Sequence, residues 1–393
     1  MGQHKFVFGV LMFAMFITMA GVGIMVPVMP TYLEVFGVGG TVLGFLIAAF
    51  AFAQFLFSPA AGDLSDRHGR KIFIVFGLLV YGIAQYIFGY ATEVWMMFAS
   101  RFLSGVGSAF IAAPVMAYVA DITLPEERGK GMGLIGASMS LGFMVGPGFG
   151  GFLSNVNLHF PFLLSGSLAV LTAVIAFFAL PNIKPKANPH AVRENIFKQM
   201  ARSVETPYFV LLIVVFTFSF GISNFQGTLS LLLADKFNYT ATDIAIILTI
   251  GGFIGVILQT FVIGKLFKRF GEMNVILVNL VLAAIMTVLT VVVSGFFMIT
   301  LIATLFSIAT TFIRPAVNTL ISKMAGAQQG YASGMNNAFM SLGTMFGPAL
   351  AGILYDWNMN IPYIFGAVVL LLCFFVAYAW QKKTTNAALS QSS

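Results

Sequence analysis

The charged segment Gly62-Asp-Leu-Ser-Asp-Arg-His-Gly-Arg-Lys71 joins two long apolar stretches near the start of the chain. Its first part is matched 202 positions later by Gly264-Lys-Leu-Phe-Lys-Arg-Phe-Gly271, again between apolar stretches. Nearly the same offset aligns Pro114 with Pro315, Gly129 with Gly330, Gly133 with Gly334, and SLGFMVGPGFGG (140–151) with SLGTMFGPALAG (341–352). These matches indicate that the chain consists of two repeats. Repeats on this scale are typical of secondary transporters, whose substrate binds near the membrane midplane between them.

The composition excludes most other classes of protein. The chain has 393 residues, of which 59% are hydrophobic and 8% charged, whereas an ordinary soluble domain is about 25% charged. A water-soluble enzyme and a disordered chain are excluded on this ground. The apolar stretches are long enough to cross a bilayer as helices, and they lack the alternation of barrel strands. We therefore predict an all-α membrane protein.

Twelve apolar stretches are predicted to cross the membrane, and we number them spans 1 to 12. Their approximate bounds are 6–33, 41–62, 72–92, 95–120, 132–156, 159–181, 207–234, 241–264, 273–293, 296–323, 330–354 and 361–381. The predicted segments are an N-terminal six-helix bundle (1–181), a cytoplasmic linker (182–206), a C-terminal six-helix bundle (207–381) and a cytoplasmic tail (382–393).

Charge placement predicts the orientation. Most of the 20 lysines and arginines fall in loops on one side, which by the positive-inside rule is cytoplasmic. Both termini and the linker then lie inside the cell. In the linker, Val192, Ile196, Met200 and Val204 recur every four residues, which predicts a short amphipathic helix. Because the basic residues sit in short loops between apolar stretches, the net charge of +7 does not indicate nucleic-acid binding.

The sequence offers no catalytic or metal chemistry. The single cysteine, Cys373, cannot form an internal disulfide, and no cluster of ligating residues surrounds it. No pair of catalytic acids and no nucleophile with a base occurs within the spans. We expect no enzyme activity, no cofactor and no metal.

Three further motifs accompany the 62–71 segment. They are Arg101-Phe-Leu-Ser-Gly-Val-Gly-Ser-Ala109 in span 4, Gly142-Phe-Met-Val-Gly-Pro-Gly-Phe-Gly-Gly151 in span 5 and Pro27-Val-Met-Pro-Thr-Tyr32 in span 1. With them the chain resembles the twelve-span drug:proton antiporter branch of the major facilitator superfamily, and multidrug efflux pumps of the NorA/Bmr type in particular. The resemblance covers nearly the whole chain. It implies twelve transmembrane helices in two pseudo-symmetric six-helix bundles, in the cell membrane of a bacterium.

The resemblance also implies a role for the 62–71 segment. Asp66 would face the N-terminus of span 11, and Arg70 would pair with Asp121 at the cytoplasmic end of span 4. Such a cluster would hold one conformation and break in the other, as a two-state element requires. Taken without the resemblance, the segment could simply anchor the loop in the cytoplasm.

Arg101 lies about two turns inside the outer end of span 4, where a charged side chain is costly and marks a functional candidate. The resemblance ties Arg101 to proton transfer, and the alternative is a side chain that extends to the outer interface. The glycines of span 5 have the small-xxx-small spacing that lets helices approach closely, and the proline is expected to kink the helix. The residues of this packing motif, with their copies in span 11, are Gly142, Gly146, Pro147, Gly150, Gly151, Gly347 and Pro348.

A second arginine, Arg314, lies near the middle of span 10, where no acid of the same span can pair with it and where we expect it to be buried. A binding or coupling role is favoured over a structural one. Polar and aromatic residues near the midplane could line the substrate cavity or belong to helix packing. The proposed lining is Gln54, Phe110, Asn224, Gln226, Arg314, Asn318, Asn337, Phe339 and Met340.

The chain departs from the NorA/Bmr pattern at two positions. Those pumps carry a glutamate in span 7 and an aspartate in span 10, both linked to protons and cationic drugs, and the corresponding residues here are Gln226 and Thr311. No acid lies deep in any predicted span. Glu34 at the outer end of span 1 and Asp121 are among the nearest substitutes. The resemblance still implies proton antiport, but the two acids that support it in those pumps are absent here. For the same reason, the preference of those pumps for cationic drugs is not expected of this chain.

The favoured function is export of small hydrophobic or amphiphilic compounds by alternating access, coupled to inward proton movement, by a monomer in the lipid bilayer. The first alternative is a facilitator for a specific neutral or anionic solute, such as a sugar, metabolite or lipid. The second is a membrane sensor that transports nothing, which predicts no ligand-dependent flux.

Overall fold

The computed structural model describes residues 5–182, 196–326 and 329–392, and every regular element in these ranges is an α-helix. Twelve of these helices are long and apolar enough to cross a membrane. They are span 1 (Lys5–Phe36), span 2 (Gly40–His68), span 3 (Arg70–Gly89), span 4 (Val94–Ile122), span 5 (Pro125–Ser154), span 6 (Phe160–Ala179), span 7 (Phe209–Phe237), span 8 (Ala241–Phe261), span 9 (Glu272–Val292), span 10 (Phe296–Ala325), span 11 (Gln329–Trp357) and span 12 (Ile361–Ser392). The prediction of an all-α protein with twelve spans is confirmed.

Several helices continue beyond their apolar stretches. Span 2 extends to His68, span 5 begins at Pro125, and span 12 runs through the predicted tail to Ser392. Hydrophobicity marks the part of a helix that matches the bilayer, whereas the backbone hydrogen bonds carry the helix on into the polar loop. Span 8 ends earlier than predicted, at Phe261, and a separate basic helix follows it (Ile263–Phe270).

The two matched segments make the same turn. Gly69 follows span 2 with φ +103°, and Gly271 follows the Ile263–Phe270 helix with φ +76°. Both backbone N–H groups donate to a carbonyl four residues earlier. A residue with a side chain rarely adopts these φ values, so the repeated glycines end the two helices and let spans 3 and 9 begin at once.

The helices form two compact units. Unit 1 comprises Met1–Ala191 with Leu233–Thr249, and unit 2 comprises Val192–Leu232 with Ile250–Ser393. In unit 1 span 1 packs on spans 5 and 6, and span 4 packs on spans 2 and 3. In unit 2 span 9 packs on spans 10 and 12. A short helix of the linker, Ile196–Ser203, belongs to unit 2, where Tyr331 Oη donates a hydrogen bond of 2.7 Å to the Gln199 carbonyl.

Large apolar side chains also lie on the outside of the helices. On span 6, Val174, Phe177 and Phe178 are 48, 54 and 79% exposed. In water such a face would be an aggregation site, whereas in a bilayer lipid chains cover it. Together with the twelve spans, these faces identify the chain as a multi-pass membrane protein.

Candidate functional site

The glycines of span 5 lie directly against span 1. A Cβ atom placed on Gly146 would come within 2.5 Å of the Ala20 carbonyl oxygen, and one on Gly142 or Gly150 would overlap the carbonyls of Phe16 and Ile24. Span 1 reciprocates at Gly23, whose Cβ would lie 2.8 Å from Pro147 Cδ. The absence of side chains thus lets the two backbones touch along three turns.

Unit 2 repeats this packing between spans 11 and 7. A Cβ on Gly347 would lie 2.6 Å from the Phe220 carbonyl oxygen, and one on Gly343 would overlap the Phe216 carbonyl. Pro348 is buried beside Gly347. The remaining glycine of the motif, Gly151, faces the start of span 8 instead, where a Cβ would overlap the Ala241 carbonyl.

Arg101 is buried inside unit 1, in the third turn of span 4, and is 2% exposed. One of its terminal nitrogens lies 3.2 Å from Met25 Sδ, and the other donates to Gln85 Oε1 at 3.2 Å. Its guanidinium carbon lies 4.7 Å from the centre of the Phe88 ring, and its Nε has no hydrogen-bond partner among the described residues. Arg101 does not extend to the interface. It is a buried cation held by an amide, a thioether and a ring.

The contacts of Arg101 continue in two directions. Towards span 1, Gln85 Nε2 donates to Tyr81 Oη at 2.8 Å, and Tyr81 Oη donates to the Thr18 carbonyl at 3.0 Å. The Phe88 ring also packs on the ring of Tyr32, and Tyr32 Oη hydrogen-bonds His159 Nδ1 at 3.0 Å. His159 is exposed, so this second set of contacts reaches the surface.

Sequence reasoning did not find Gln85, Tyr81, Tyr32 or His159 as partners of Arg101. Gln85 and Tyr81 stand four residues apart in an otherwise apolar span, so they share one helix face. That spacing was the available signal. Which other helix the face meets depends on long-range packing.

Arg70 forms the second charged cluster of unit 1. Its side chain is 8% exposed, and its Nε donates to Asp121 Oδ2 at 3.1 Å. Its Nη1 donates to Asp66 and, at 2.9 Å, to Ser65 Oγ. The Arg70–Asp121 pair that the resemblance implies is present. One guanidinium therefore ties the end of span 2 and the start of span 3 to the end of span 4.

Two residues expected to line a cavity are engaged in packing within unit 1. Phe110 is 6% exposed, and its ring packs on the rings of Phe73 and Phe76 in span 3. Gln54 donates to Ser108 Oγ at 3.0 Å and so joins spans 2 and 4. Phe110 and Gln54 thus fit the helix-packing alternative, and a role in lining a substrate cavity stays a prediction for both. Hydrophobicity does not fix the rotation of a helix that is apolar on all sides.

Asn224 also lies in helix packing, and its place in the cavity lining stays a prediction. It is fully buried in unit 2, and neither its amide nitrogen nor its amide oxygen has a hydrogen-bond partner among the described residues. Gly366 of span 12 lies against it, since a Cβ there would come 3.2 Å from Asn224 Oδ1. A buried amide without partners is costly and is an unusual element of the core of unit 2.

The other predicted lining residues keep accessible surface. Asn318 and Asn337 are exposed, and Gln226, Phe339 and Met340 are half-buried. Arg314 is also exposed, which corrects the expectation that it is buried. No hydrogen bond or ion pair joins Arg314 to another residue in the described part of the chain. Glu34 is exposed at the end of span 1.

The structure also bears on metal binding. Among the described residues, no group of three or more His, Cys, Asp or Glu side chains could hold a metal ion.

Twelve spans in two sequence repeats, glycine-mediated contacts between spans and an arginine inside the membrane define a class of protein, the secondary transporters. The model of the Major Facilitator Superfamily matches residues 11–289 and 211–392. The chain belongs to this superfamily, whose members transport solutes and are not enzymes.

Relatives and solved structures agree with this assignment. The chain is 38% identical over 391 residues to Multidrug resistance protein 2 of Bacillus subtilis, covering 98% of both chains. It is 33% identical over 354 residues to Quinolone resistance protein NorA of Staphylococcus aureus, covering 90% of this chain and 91% of that one. A bacterial homologue of the lysosomal transporter Spinster has the same fold, with a TM-score of 0.80, 14% identity, and 96 and 97% coverage.

Proposed function

We propose that this protein exports small hydrophobic or amphiphilic compounds, drugs among them, across the bacterial cytoplasmic membrane. The observation that carries the proposal is the similarity to relatives named for multidrug and quinolone resistance over 90% or more of the chain. The two repeats, each packed through glycines, support transport by alternating access. The protein acts as a monomer, with both termini in the cytoplasm.

Export is coupled to inward proton movement, and Arg101 is the central coupling residue. A buried cation whose bound partners are all neutral makes the charge of any group beside it energetically important. The ring and hydroxyl contacts through Phe88, Tyr32 and His159 connect it with the outer end of the unit. Glu34 at the outer end of span 1 and Asp121 at the inner end of span 4 are the carboxylates available to exchange protons on the two sides.

The cluster of Asp66, Arg70 and Asp121 acts as a cytoplasmic latch. The buried guanidinium holds two partly exposed carboxylates, with side-chain exposures of 30 and 26%. Water can reach the two acids, so they can be hydrated when the pairs open, whereas the buried Arg70 must then gain water or another partner. That property suits an element that must form and break in every transport cycle.

The second candidate function is a facilitator that moves a specific solute without protons. One observation favours it: the positions that carry acids in the resembling pumps are Gln226 and Thr311, neither of which can bind a proton near neutral pH. The two functions differ in their response to a pH gradient.

The test uses purified protein in liposomes, with flux of a quinolone and of a neutral fluorescent amphiphile followed under an imposed pH gradient. We expect both compounds to move faster than in empty liposomes, and collapse of the gradient to slow them at least fivefold. The variants Arg101→Gln and Glu34→Gln are expected to lose the gradient effect. Arg128→Gln, at an exposed position in the first turn of span 5, is the matched control. Flux that ignores the gradient supports the facilitator, and absence of flux contradicts both functions.

A further inference from the structure

One face of span 10 is polar over its middle third. Ser307, Thr311, Arg314 and Asn318 follow one another at intervals of four, three and four residues, which places them on one side of the helix. The opposite side is apolar and includes the buried Ala309, Phe312 and Ala316. In a membrane helix such a stripe is costly unless it faces protein or water.

Span 8 covers only the first part of this stripe. A Cβ on Gly251 would lie 2.8 Å from Ser307 Oγ, and one on Gly255 would lie 2.8 Å from Thr311 Oγ1. These two glycines let span 8 lie directly on the first two hydroxyls. One turn further along, Arg314 and Asn318 are exposed. The polar side of this 30-residue helix is therefore uncovered from Arg314 onwards, near the middle of the helix.

The charge of Arg314 is not neutralised within the described part of the chain, where no carboxylate contacts it. Arg101, the other arginine deep in a span, is likewise bound by neutral groups. A positive charge in a poorly polarisable environment repels a cationic ligand and attracts an anionic one. The guanidinium plane also matches the two oxygens of a carboxylate.

We infer that Arg314, with Asn318 one turn away, receives a carboxylate of the transported compound. The favoured substrates are then amphiphiles with an anionic or zwitterionic head group rather than organic cations. This inference rests on the proposed transport function. It makes Arg314 a specificity-determining residue, whose positive charge is neutralised by the carboxylate of the bound substrate.

The test compares two xanthene dyes of similar size, anionic fluorescein and cationic rhodamine 6G, in liposomes that contain the full-length protein. Wild type is expected to transport fluorescein at least tenfold faster, relative to empty liposomes. Arg314→Gln should lose most of this preference, and Arg314→Lys should keep part of it. Thr311→Asp places a carboxylate one turn from Arg314 and should shift the preference towards rhodamine 6G. Thr300→Asp, the same charge change near the start of span 10, should not.

The outcomes separate the inference from the transport function. If neither dye moves, and a neutral amphiphile does not move either, export itself is contradicted. If both dyes move and Arg314→Gln or Thr311→Asp slows them equally, export stands and the assigned specificity is wrong. Thermal unfolding of each variant in detergent identifies a loss of flux that comes from misfolding.

A second observation, independent of the first, concerns the start of span 9 and the end of span 10. Lys323 Nζ lies 2.5 Å from Glu272 Oε1. The offset of 202 that aligns the segments 62–69 and 264–271 maps Arg70 onto Glu272, and the offset of 201 that aligns Pro114 with Pro315 maps Asp121 onto Ser322, the neighbour of Lys323. Both halves thus carry an ion pair between the start of one span and the end of the next, with the signs exchanged.

Exchange of both signs preserves the attraction, whereas exchange of one would abolish it. The position of Asp66 is likewise occupied by a residue of opposite charge, Lys268. We infer that Glu272 and Lys323 are positioning residues that fix the basic helix Ile263–Phe270 during the transport cycle, as a sign-reversed counterpart of the latch in unit 1.

The charge-swap experiment tests this pair. Glu272→Lys and Lys323→Glu are each expected to lower the transport rate at least fivefold, and the double variant is expected to recover half of it or more. The variant Lys265→Cys, made in a Cys373→Ser background, reports how accessible the helix Ile263–Phe270 is to a membrane-impermeant maleimide. Substrate should change its labelling rate in wild type and in the double variant only. Single variants with normal transport and labelling, or a double variant without recovery, would overturn the inference.

Discussion

The close contact between spans 1 and 5 depends on the absence of side chains at the glycines of span 5. Gly142, Gly146 and Gly150 each lie against a carbonyl of span 1, so any Cβ there must push the two helices apart. Overpacking of this kind typically costs about 1–3 kcal/mol. Other glycines of the same helix, such as Gly136, have nothing within 4 Å of a Cβ position.

This contrast gives a prediction with an internal control. Gly146→Ala should lower the temperature of unfolding in detergent by several degrees, because its Cβ would meet the Ala20 carbonyl. Gly136→Ala should leave it unchanged or raise it, because alanine favours a helix by about 1 kcal/mol over glycine. Equal behaviour of the two variants would contradict the close contact between spans 1 and 5.

The amide that binds Arg101 gives a second prediction at this scale. Gln85→Leu removes the acceptor of a buried charged donor, and we expect a loss of about 2–3 kcal/mol of stability. Gln54→Leu removes an amide that donates to the neutral Ser108, so the loss should be nearer to 1 kcal/mol. Thermal unfolding of both variants measures the difference. A Gln85→Leu protein as stable as wild type would show that Arg101 does not need this partner.

At the scale of the element, the structure shows how short charged segments join long apolar helices. Arg70 at the first position of span 3 reaches Asp66 at the end of span 2 and Asp121 at the end of span 4. Three helix ends are thereby fixed by one side chain. The turn itself depends on Gly69, whose positive φ allows span 3 to begin immediately after span 2.

The latch makes a prediction about pairs of residues. Asp121→Arg should slow transport at least fivefold, because it sets two cations against each other, and Arg70→Asp should do the same by placing three acids together. The double variant Arg70→Asp/Asp121→Arg restores one attraction but leaves the new aspartate beside Asp66, so only partial recovery is expected. Initial rates of flux in liposomes measure all three. Single variants at wild-type rates would remove the latch from the mechanism.

At the scale of the whole molecule, most of the architecture was predictable from the sequence. The twelve spans followed from apolar stretches longer than a bilayer requires, and the glycine repeats indicated where helices touch. The rotation of each helix was not predictable, because a helix that is apolar on all sides carries no signal for its buried face. The sequence therefore left open whether Phe110 and Asn224, which are buried, line a cavity or pack between helices, and it predicted that Arg314, which is exposed, is buried.

The polar partners of Arg101 were missed for a related reason. Gln85 and Tyr81 lie 16 and 20 positions from it in the chain, and nothing local specifies that spans 3 and 4 meet at that level. The Arg70–Asp121 pair, in contrast, was named in advance because the resemblance supplied a contact that local sequence does not contain. Contacts between side chains that are distant in the sequence were thus predicted only where the resemblance supplied them.

The most direct test of proton-coupled export follows protons and substrate together. Liposomes containing the protein and an entrapped pH-sensitive dye are given substrate on one side without an imposed gradient. Antiport predicts that substrate movement down its gradient drives protons in the opposite direction, with a pH change that Arg101→Gln abolishes. Substrate movement at the normal rate with no change in internal pH would contradict proton coupling and leave a facilitator.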